Sequence, residues 1–415
     1  MPKPTIDLKR MQRRLDALTT PALGGTPAGG VTRPALSDAD RAARDLFVDW
    51  LRELDVSVRI DDFGNIFGGR AGQDARTSPV LVGSHLDTVP LGGRFDGILG
   101  IVAALEVVSA LEETHTLTRR PVDVVNWTGE EGARFDIPMI ASGGATGVFT
   151  REYVYSQTDR DGLRFGDELE RIGYRGDASA RPQEIAASLE LHIEQGPVLE
   201  KEGAAVGIVE GIAAIRWYWV RVRGRGEHAG GSAVELRRDA MVSAARMIVA
   251  ARQVAIERGD VKVTTGVVKP ATSSINVIPE EVTFSLDVRA ADDATQNIVI
   301  AAIRERFAAI ASGEGVEVSV DEHWSVPPTP FDPGIRDLAE RLCLERGYAC
   351  RRLVGGIGHD SQHLARVTRA AMLFTPTVGG LSHCQTEAST WPEIVKATDV
   401  LLGLTLALAN DSGRT

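Results

Sequence analysis

Cysteine is scarce in this 415-residue sequence, which contains three, and no two of them form a C-x-x-C pair. The scarcity argues against both a disulfide framework and a thiolate zinc site, and the expected location is the reducing cytoplasm. The basic N-terminus lacks the apolar core of a signal peptide. Apolar runs are too short and too interrupted to span a bilayer, so no membrane partner is expected.

Positive charge is also in deficit. The 46 Lys and Arg residues are outnumbered by 57 Asp and Glu residues, which leaves a formal net charge of −11. Nucleic acids bind to clustered positive side chains, so no nucleic-acid partner is expected. The sequence also lacks the phosphate-binding G-x-x-x-x-G-K-[ST] loop, the G-x-S-x-G elbow and the H-E-x-x-H zinc motif. Any chemistry must therefore come from residues dispersed along the chain.

The hydrophobic pattern predicts an α/β fold. An amphipathic helix is predicted over residues 37–54, with Ser37 as the N-cap, and a second helix over residues 97–111. A short continuous apolar run, typical of a buried parallel strand, occurs at 80–82, and further strands are predicted at 122–127, 189–193, 206–209 and 370–374. Strands that alternate with helices indicate a mostly parallel sheet with helices on both faces.

The pattern changes after residue 211. The next predicted elements follow the order β-α-β-β-α-β, at 216–222, 235–256, 262–268, 282–288, 296–311 and 316–320. This order is that of a small ferredoxin-like α+β sandwich. We therefore expect a discontinuous catalytic domain, 1–211 and 326–415, interrupted by an inserted domain of residues 212–325. Residues 326–330 are expected to form an extended linker.

Histidines and carboxylates follow several predicted strands, at the edge where open α/β sheets place their sites. Directly after the first apolar strand, Asp87 could hold the ring of His85 through its second nitrogen. Asp96 stands at the start of the next helix, where a capping role is the alternative. Glu130 and Glu131 are adjacent, so their side chains diverge, and one carboxylate could bind a metal while the other faces its bound water, unless the pair is merely a solvated surface.

His192 and His383 each add an imidazole from a distant part of the chain. A lone histidine in such a segment is more often structural than catalytic. Together, however, three histidines, one aspartate and one glutamate form the ligand set that suits two borderline divalent ions such as Zn, Mn, Co or Ni. Asp96 is the natural bridge between two such ions.

A second group of polar residues falls in the expected inserted domain. His228 and Asn276 are donors that could support a developing oxyanion. Arg289 closes a strand and could bind a carboxylate bidentately, with a salt bridge to Asp287 as the alternative. Arg216 begins another strand of the same domain.

Taken in order, these segments form a recognisable signature. It consists of S-H-L-D-T-V-P at 84–90, F-D-G at 95–97, E-E-G at 130–132, H-I-E-Q-G-P at 192–197, H-A-G at 228–230, N-V-I-P at 276–279, G-H-D at 358–360 and S-H at 382–383. The chain resembles the dinuclear metallohydrolases related to aminoacylase and carboxypeptidase G. Within them it is similar to the amidase/hydantoinase/carbamoylase branch, because of the H-I-E-Q-G-P and G-H-D segments.

The resemblance implies two divalent metal ions per subunit, held by His85, Asp96, Glu131, His192 and His383, with Asp96 bridging. It makes Glu130 the general base, supported by Asp87. It implies a homodimer formed through the inserted domain, which closes over the site as a lid, with His228 reaching across from the other subunit. The implied substrate contacts are Arg216, Asn276 and Arg289, with Gln195 and His359 nearby.

The expected activity is therefore that of a metal-dependent amidohydrolase acting on a linear, carboxylate-bearing N-carbamoyl or ureido compound. An N-carbamoyl-L-amino acid is the first expectation, and allantoate and N-carbamoyl-β-alanine are alternatives. A peptidase or aminoacylase on the same scaffold is another alternative. A non-catalytic binding protein that kept the fold is the last.

Overall fold

The computed structural model describes residues 3–272 and 274–411, and these divide into two compact units. The first unit comprises Met1–Glu210 and Pro330–Thr415, and the second comprises Gly211–Thr329. Each has its own hydrophobic core. The divisions fall close to the boundaries expected at residues 211 and 326, and the roles of the two parts as catalytic and dimerisation domains stay predictions.

The strands in chain order are β1 Ser57–Ile60, β2 Ile66–Arg70, β3 Val80–His85, β4 Val122–Trp127, β5 Ala187–Ile193, β6 Val206–Ile212, β7 Ala214–Arg223, β8 Glu227–His228, β9 Lys262–Thr264, β10 Val268–Pro270, β11 Val277–Ile278, β12 Glu281–Ala290, β13 Glu317–Val326, β14 Thr329–Pro330, β15 Cys350–Gly355 and β16 Ala370–Thr375. The α-helices are α1 Leu8–Leu18, α2 Asp38–Glu53, α3 Ile98–Glu113, α4 Ile140–Ala145, α5 Arg151–Ser156, α6 Phe165–Arg171, α7 Val198–Glu202, α8 Ala240–Arg258, α9 Asp293–Glu314, α10 Pro333–Arg346, α11 Asp360–Leu364 and α12 Trp391–Asn410. Short 3-10 helices lie at Pro21–Leu23, Ala178–Ala180, Val234–Leu236 and Val378–Gly380.

The sheet of the first unit has the strand order β1-β2-β4-β3-β5-β16-β6-β14, with β15 beside β6. Its centre, β4-β3-β5-β16, is parallel, as the sequence predicts. The flanking pairs β1–β2, β2–β4 and β16–β6 are antiparallel. The central strands are buried along their whole length, which explains why each is rich in apolar residues.

Helices pack against this central sheet. The α3 helix contacts β3, β4 and β5, and α12 packs on both α3 and β16. The α2 helix begins as the sequence predicts, because the side chain of Ser37 accepts a hydrogen bond from Asp40 N at 3.2 Å. Because the central strands run parallel, their carboxyl ends lie at one edge of the sheet, where the candidate ligands also lie.

The second unit contains an antiparallel sheet of order β10-β12-β7-β13, with β9 also paired to β12. Helices α8 and α9 pack on each other and on this sheet. The single strand expected at 262–268 is wrong: it is divided into β9 and β10, because residues 265–267 face only Ser285 and Leu286 of β12, which interrupts the ladder. At this point Ser285 Oγ accepts hydrogen bonds from Gly266 N and Val267 N. The helix expected from residue 235 begins at residue 240, where Asp239 caps it.

No helix among residues 3–272 and 274–411 combines the length and the apolar character that crossing a membrane requires.

Candidate metal centre

Five candidate ligands, spread from residue 85 to residue 383, meet around one carboxylate. Asp96 Oδ1 lies 3.0 Å from His192 Nε2 and 3.8 Å from His85 Nε2. Its other oxygen, Oδ2, lies 3.3 Å from His383 Nε2, which is also 3.3 Å from Glu131 Oε2. Asp96 is therefore shared by two three-residue groups, and within each group the ligand atoms lie within 4.8 Å of one another.

The donor atoms in these groups fit a metal ion. Among the described residues, His85 Nε2 and Glu131 Oε1 are buried and have no hydrogen-bond partner. An unpaired buried polar atom is costly unless something else satisfies it. Imidazole nitrogens and carboxylate oxygens are the ligands of borderline divalent ions. The residues present could hold such ions, as the family resemblance implies.

The site concentrates negative charge. Burial would raise the pKa of Asp96, but hydrogen bonds with His192 and His383 hold it well below its usual range. Burial opposes the charged form of His192, yet Asp96 raises its pKa to about 9. Burial, together with Asp360 and other carboxylates, raises the pKa of Glu130 well above its usual range. A bound cation would favour the ionised form of every carboxylate here.

Glu130 and Glu131 point to different parts of this centre. The Glu130 carboxylate lies 3.6 Å from His85 Nε2 and 3.6 Å from His359 Nδ1. The Glu131 carboxylate instead faces His383. The divergence expected of adjacent side chains is thus present, and it leaves Glu130 beside the candidate ligands of one group.

Asp87 supports this region differently from the sequence-based expectation. The ring of His85 is held by the main-chain oxygen of Asp87, 2.9 Å from Nδ1, whereas the carboxylate oxygen is 3.9 Å away. The carboxylate accepts hydrogen bonds from the backbone N–H groups of Gly129, Glu130 and Glu131, at 3.1 to 3.2 Å. These three donors occupy it, so Asp87 fixes the turn that carries both glutamates.

The H-I-E-Q-G-P segment positions three polar side chains. His192 Nδ1 lies 3.0 Å from Ile193 O, which fixes its ring, and Glu194 accepts hydrogen bonds from the first N–H groups of α7. Gln195 Nε2 donates to Asp96 Oδ2 at 2.7 Å. Gln195 and His383 both have a φ of 55°, a left-handed conformation that is uncommon for such residues and that clusters at functional sites.

His359 lies beside the same centre. Its ring centroid is 4.4 Å from that of His192. Burial, with the nearby charge of His192, lowers its pKa well below the usual range, so the ring is neutral. Among the described residues neither ring nitrogen has a hydrogen-bond partner.

Two of the predicted residues of the second unit lie close together. His228 in β8 is paired with Val277 in β11, and Ala229 N donates to Asn276 O at 2.9 Å. The side chains of His228 and Asn276 are both exposed.

The two predicted arginines of this unit are not brought together. Arg289 forms the salt bridge with Asp287 that the sequence left open, at 2.8 Å. Arg289 stands opposite Ile215 in the β7–β12 register, so Arg216 projects from the other face of the sheet. There the Arg216 guanidinium donates to Asn297 Oδ1 and Asp293 Oδ1, both at 2.7 Å.

One buried residue of the site is not found by sequence reasoning. Glu387 accepts hydrogen bonds from the backbone N–H groups of Phe95 and Asp96. The only signal in the sequence is its position four residues after His383, which does not by itself distinguish it from a surface glutamate.

Comparison with known proteins identifies the family. The sequence profile described as peptidase family M20/M25/M40 matches residues 81–407. The chain belongs to this family. It is 37% identical over 388 residues to an N-carbamoyl-L-amino-acid amidohydrolase of Rhizobium meliloti, covering 93% of each chain. It is 32% identical over 393 residues to an allantoate amidohydrolase of Bacillus subtilis, covering 93% of this chain and 94% of that one.

A solved structure from the same family matches the whole chain. A hydantoinase/carbamoylase family amidase of Burkholderia multivorans is 40% identical with a TM-score of 0.93, covering 99% of this chain and 100% of that one. The membership in the amidase/hydantoinase/carbamoylase branch that the motifs indicated is confirmed.

Proposed function

We propose that this chain is a metal-dependent amidohydrolase that cleaves the C–N bond of an N-carbamoyl-L-amino acid, with release of ammonia and carbon dioxide. The observation that carries the proposal is the Glu130 carboxylate, which lies 3.6 Å from His85 in one of the two ligand groups that share Asp96. The Rhizobium meliloti relative, which bears that activity in its name, supports this choice of substrate.

The cofactor proposed is a pair of divalent ions per subunit, drawn from Zn, Mn, Co and Ni. One would be held by His85, Asp96 and His192, and the other by Asp96, Glu131 and His383. When bound, such ions supply Lewis acidity, which lowers the pKa of water and polarises a carbonyl oxygen.

Glu130 would act as the general base. Its carboxylate takes a proton from the attacking water and delivers it to the leaving nitrogen. Asp87 holds the Glu130 backbone at 3.2 Å, which fixes where the carboxylate can reach. Gln195 Oε1, which is buried and has no hydrogen-bond partner among the described residues, is suited to accept an N–H of the carbamoyl group.

The remaining substrate contacts come from the second unit. Arg289 would bind the substrate carboxylate, and Asn276 and His228 would support the oxyanion. His359 would line the pocket from the first unit. Arg216 would reach the substrate only after leaving its partners on α9, so we assign it the least direct role.

We propose that residues 212–325, as a ferredoxin-like lid, also form a homodimer that supplies His228 to the partner's site. The exposed face of α8 carries an apolar stripe at seven-residue spacing, formed by Val242, Val249 and Ile256. Exposed apolar stripes of this kind mark protein–protein contacts. Val249→Glu should yield monomers in light scattering, whereas Gln73→Glu, which adds the same charge to an exposed loop of the first unit, should leave a dimer. A wild-type monomer would refute the proposal.

Allantoate is the second candidate substrate, favoured by the allantoate amidohydrolase of Bacillus subtilis. The cytoplasm is the proposed location, in keeping with Cys343, Cys350 and Cys384, which are free thiols.

A substrate panel on metal-reconstituted enzyme tests the function. N-carbamoyl-L-amino acids should release ammonia faster than allantoate or N-carbamoyl-β-alanine, and much faster than N-acetyl amino acids or dipeptides are cleaved.

Glu130→Gln should keep its metal and lose on the order of 10²- to 10⁴-fold in kcat. Arg289→Ala should raise KM for carboxylate substrates, while Arg221→Ala, on the same sheet face, should not. Preferential cleavage of dipeptides, or full turnover by Glu130→Gln, would contradict the proposal.

A further inference from the structure

Glu387 ties together two stretches of chain that carry candidate metal ligands. It is 3% exposed and lies in the segment between the 3-10 helix Val378–Gly380 and α12. Its Oε1 accepts hydrogen bonds from Phe95 N and Asp96 N, both at 3.1 Å. Its Oε2 accepts a hydrogen bond from Ser382 Oγ at 2.9 Å. One side chain thus holds the backbone of Asp96 and the residue that precedes His383.

Glu387 is placed to position ligands and not to be one. Both of its oxygens already accept hydrogen bonds from protein donors, and it belongs to none of the candidate metal groups found among the described residues. A buried carboxylate that accepts backbone N–H bonds fixes the main chain that donates them. Here that main chain carries the carboxylate shared by both groups.

Glu387 also determines where the hydroxyl hydrogen of Ser382 points. Ser382 Oγ lies 2.9 Å from Glu387 Oε2, 3.3 Å from Asp96 Oδ2 and 3.1 Å from Gln195 Nε2. A hydroxyl has one hydrogen to donate. Given to Glu387 over the shorter distance, it adds no second donor to Asp96 Oδ2, which already accepts from Gln195 Nε2, and so leaves a lone pair of that oxygen for a cation. Without that acceptor, the hydrogen would turn to Asp96 Oδ2 and compete with the ion.

Gly93 indicates independently that the fold makes room for this carboxylate. A Cβ added at Gly93 would lie 1.9 Å from Glu387 Oε1 and 2.0 Å from its Cδ. Only glycine allows the backbone and the carboxylate to approach this closely.

The two ligand groups depend on this support to different degrees. His85 and His192 end buried strands and have their rings fixed by main-chain oxygens at 2.9 and 3.0 Å. His383 lies on a loop, its side chain is 48% exposed, and its backbone is left-handed. The group that contains His383 is therefore the one whose geometry relies on neighbouring hydrogen bonds.

We propose that Glu387 is a positioning residue that sets the ion affinity of the Asp96, Glu131 and His383 group by orienting Asp96 and Ser382. The inference rests on the proposed function, because that function requires the ions. Partners that orient metal ligands typically contribute about 10- to 100-fold in affinity. We expect the ion of this group to be the more weakly bound of the two, and a loss of that size in its affinity.

The test measures Zn²⁺ binding to the full chain by chelator competition, without substrate. Glu387→Ala should weaken the affinity for the ion of the Asp96, Glu131 and His383 group, here called the second ion, by about 10- to 100-fold. The affinity for the other ion should stay within about threefold of the wild-type value. Glu387→Gln keeps an acceptor for the two N–H groups but directs an amide N–H at Ser382, so its loss should be smaller. Adding Ser382→Ala to Glu387→Gln removes the misdirected hydrogen and should restore affinity. Gly93→Ala should resemble Glu387→Ala.

Several outcomes would overturn the proposal. One is an unchanged second dissociation constant in Glu387→Ala, and another is equal weakening of both ions. If Glu387→Ala does not fold, the comparison of Glu387→Gln with its Ser382→Ala double variant decides, and no recovery there refutes the proposal. Glu393→Gln, at the start of α12, is the control. Ammonia release by the wild type is measured separately, so a failed function is distinguishable from a failed role of Glu387.

Discussion

Acid should destabilise this protein through one buried histidine outside the metal centre. His363 lies on α11, with its ring edge-on to Phe149 at a centroid distance of 5.8 Å and an interplanar angle of 78°. Neither ring nitrogen has a hydrogen-bond partner among the described residues. Burial, helped by the charge of Arg366, lowers the pKa of His363 from 6.5 to about 4. The ring is therefore neutral in the folded protein at neutral pH.

The sign and size of this effect on the free energy of unfolding follow from the linkage between unfolding and proton binding. Between pH 6.5 and pH 4 the unfolded chain binds a proton at this residue that the folded chain does not, so unfolding is favoured as the pH falls. The contribution of His363 is fully present above pH 6.5 and is lost progressively towards pH 4. A difference of 2.5 pKa units, from 6.5 to about 4, corresponds to about 3 kcal/mol at 1.36 kcal/mol per unit.

Urea unfolding of wild type and His363→Leu at several pH values between 7 and 4 measures this effect. Leucine has a similar size and does not titrate. From pH 7 to pH 4 the free energy of unfolding should therefore fall by up to about 3 kcal/mol less in the variant than in the wild type. Any bound metal ions dissociate from both proteins equally in acid. The difference between the two curves of stability against pH therefore reports the titration of His363 alone. Parallel curves would refute the reasoning.

Three other substitutions have expected outcomes. Gly97→Ala should abolish metal binding, measured by elemental analysis, because its Cβ would lie 2.3 to 2.5 Å from the ring of His85 at a φ of +65°. Glu106→Gln should lower the free energy of unfolding by about 3 kcal/mol in urea, because it leaves the buried bidentate partner of Arg10 uncharged. Asp87→Asn should lower kcat more than metal content, because its amide would face a backbone N–H of the turn that bears the two glutamates.

The sequence predicts the centre of the first unit better than its flanks. Strands β3, β4, β5 and β16 were expected within a few residues because each is a short buried segment rich in apolar residues. Strand β1 was not expected, since its four residues are partly exposed and show no clear alternation. The division of β9 from β10 depends on an extra residue opposite β12, a feature of strand register that exists only in the folded sheet.

The candidate site, like the fold, could be predicted from the sequence only in part. The candidate ligands could be chosen from residue type and motif, because carboxylates and imidazoles at strand ends already suggest metal chemistry. The hydrogen-bond partners of the Asp87 carboxylate could not be predicted, because these backbone N–H donors belong to a turn more than forty positions away. The opposite directions of Arg216 and Arg289 depend on strand register, which the sequence does not reveal.

The shared position of Asp96 has a consequence for how the enzyme is made. A nascent chain of about 200 residues already contains His85, Asp96 and His192, whereas His383 follows 191 residues after His192. If the two proposed ions are bound, the group of His85, Asp96 and His192 could be completed first during translation, whereas the other group requires the synthesis of His383. An ion captured early would hold the aspartate in place for its late partner, so assembly of the catalyst would be ordered in time.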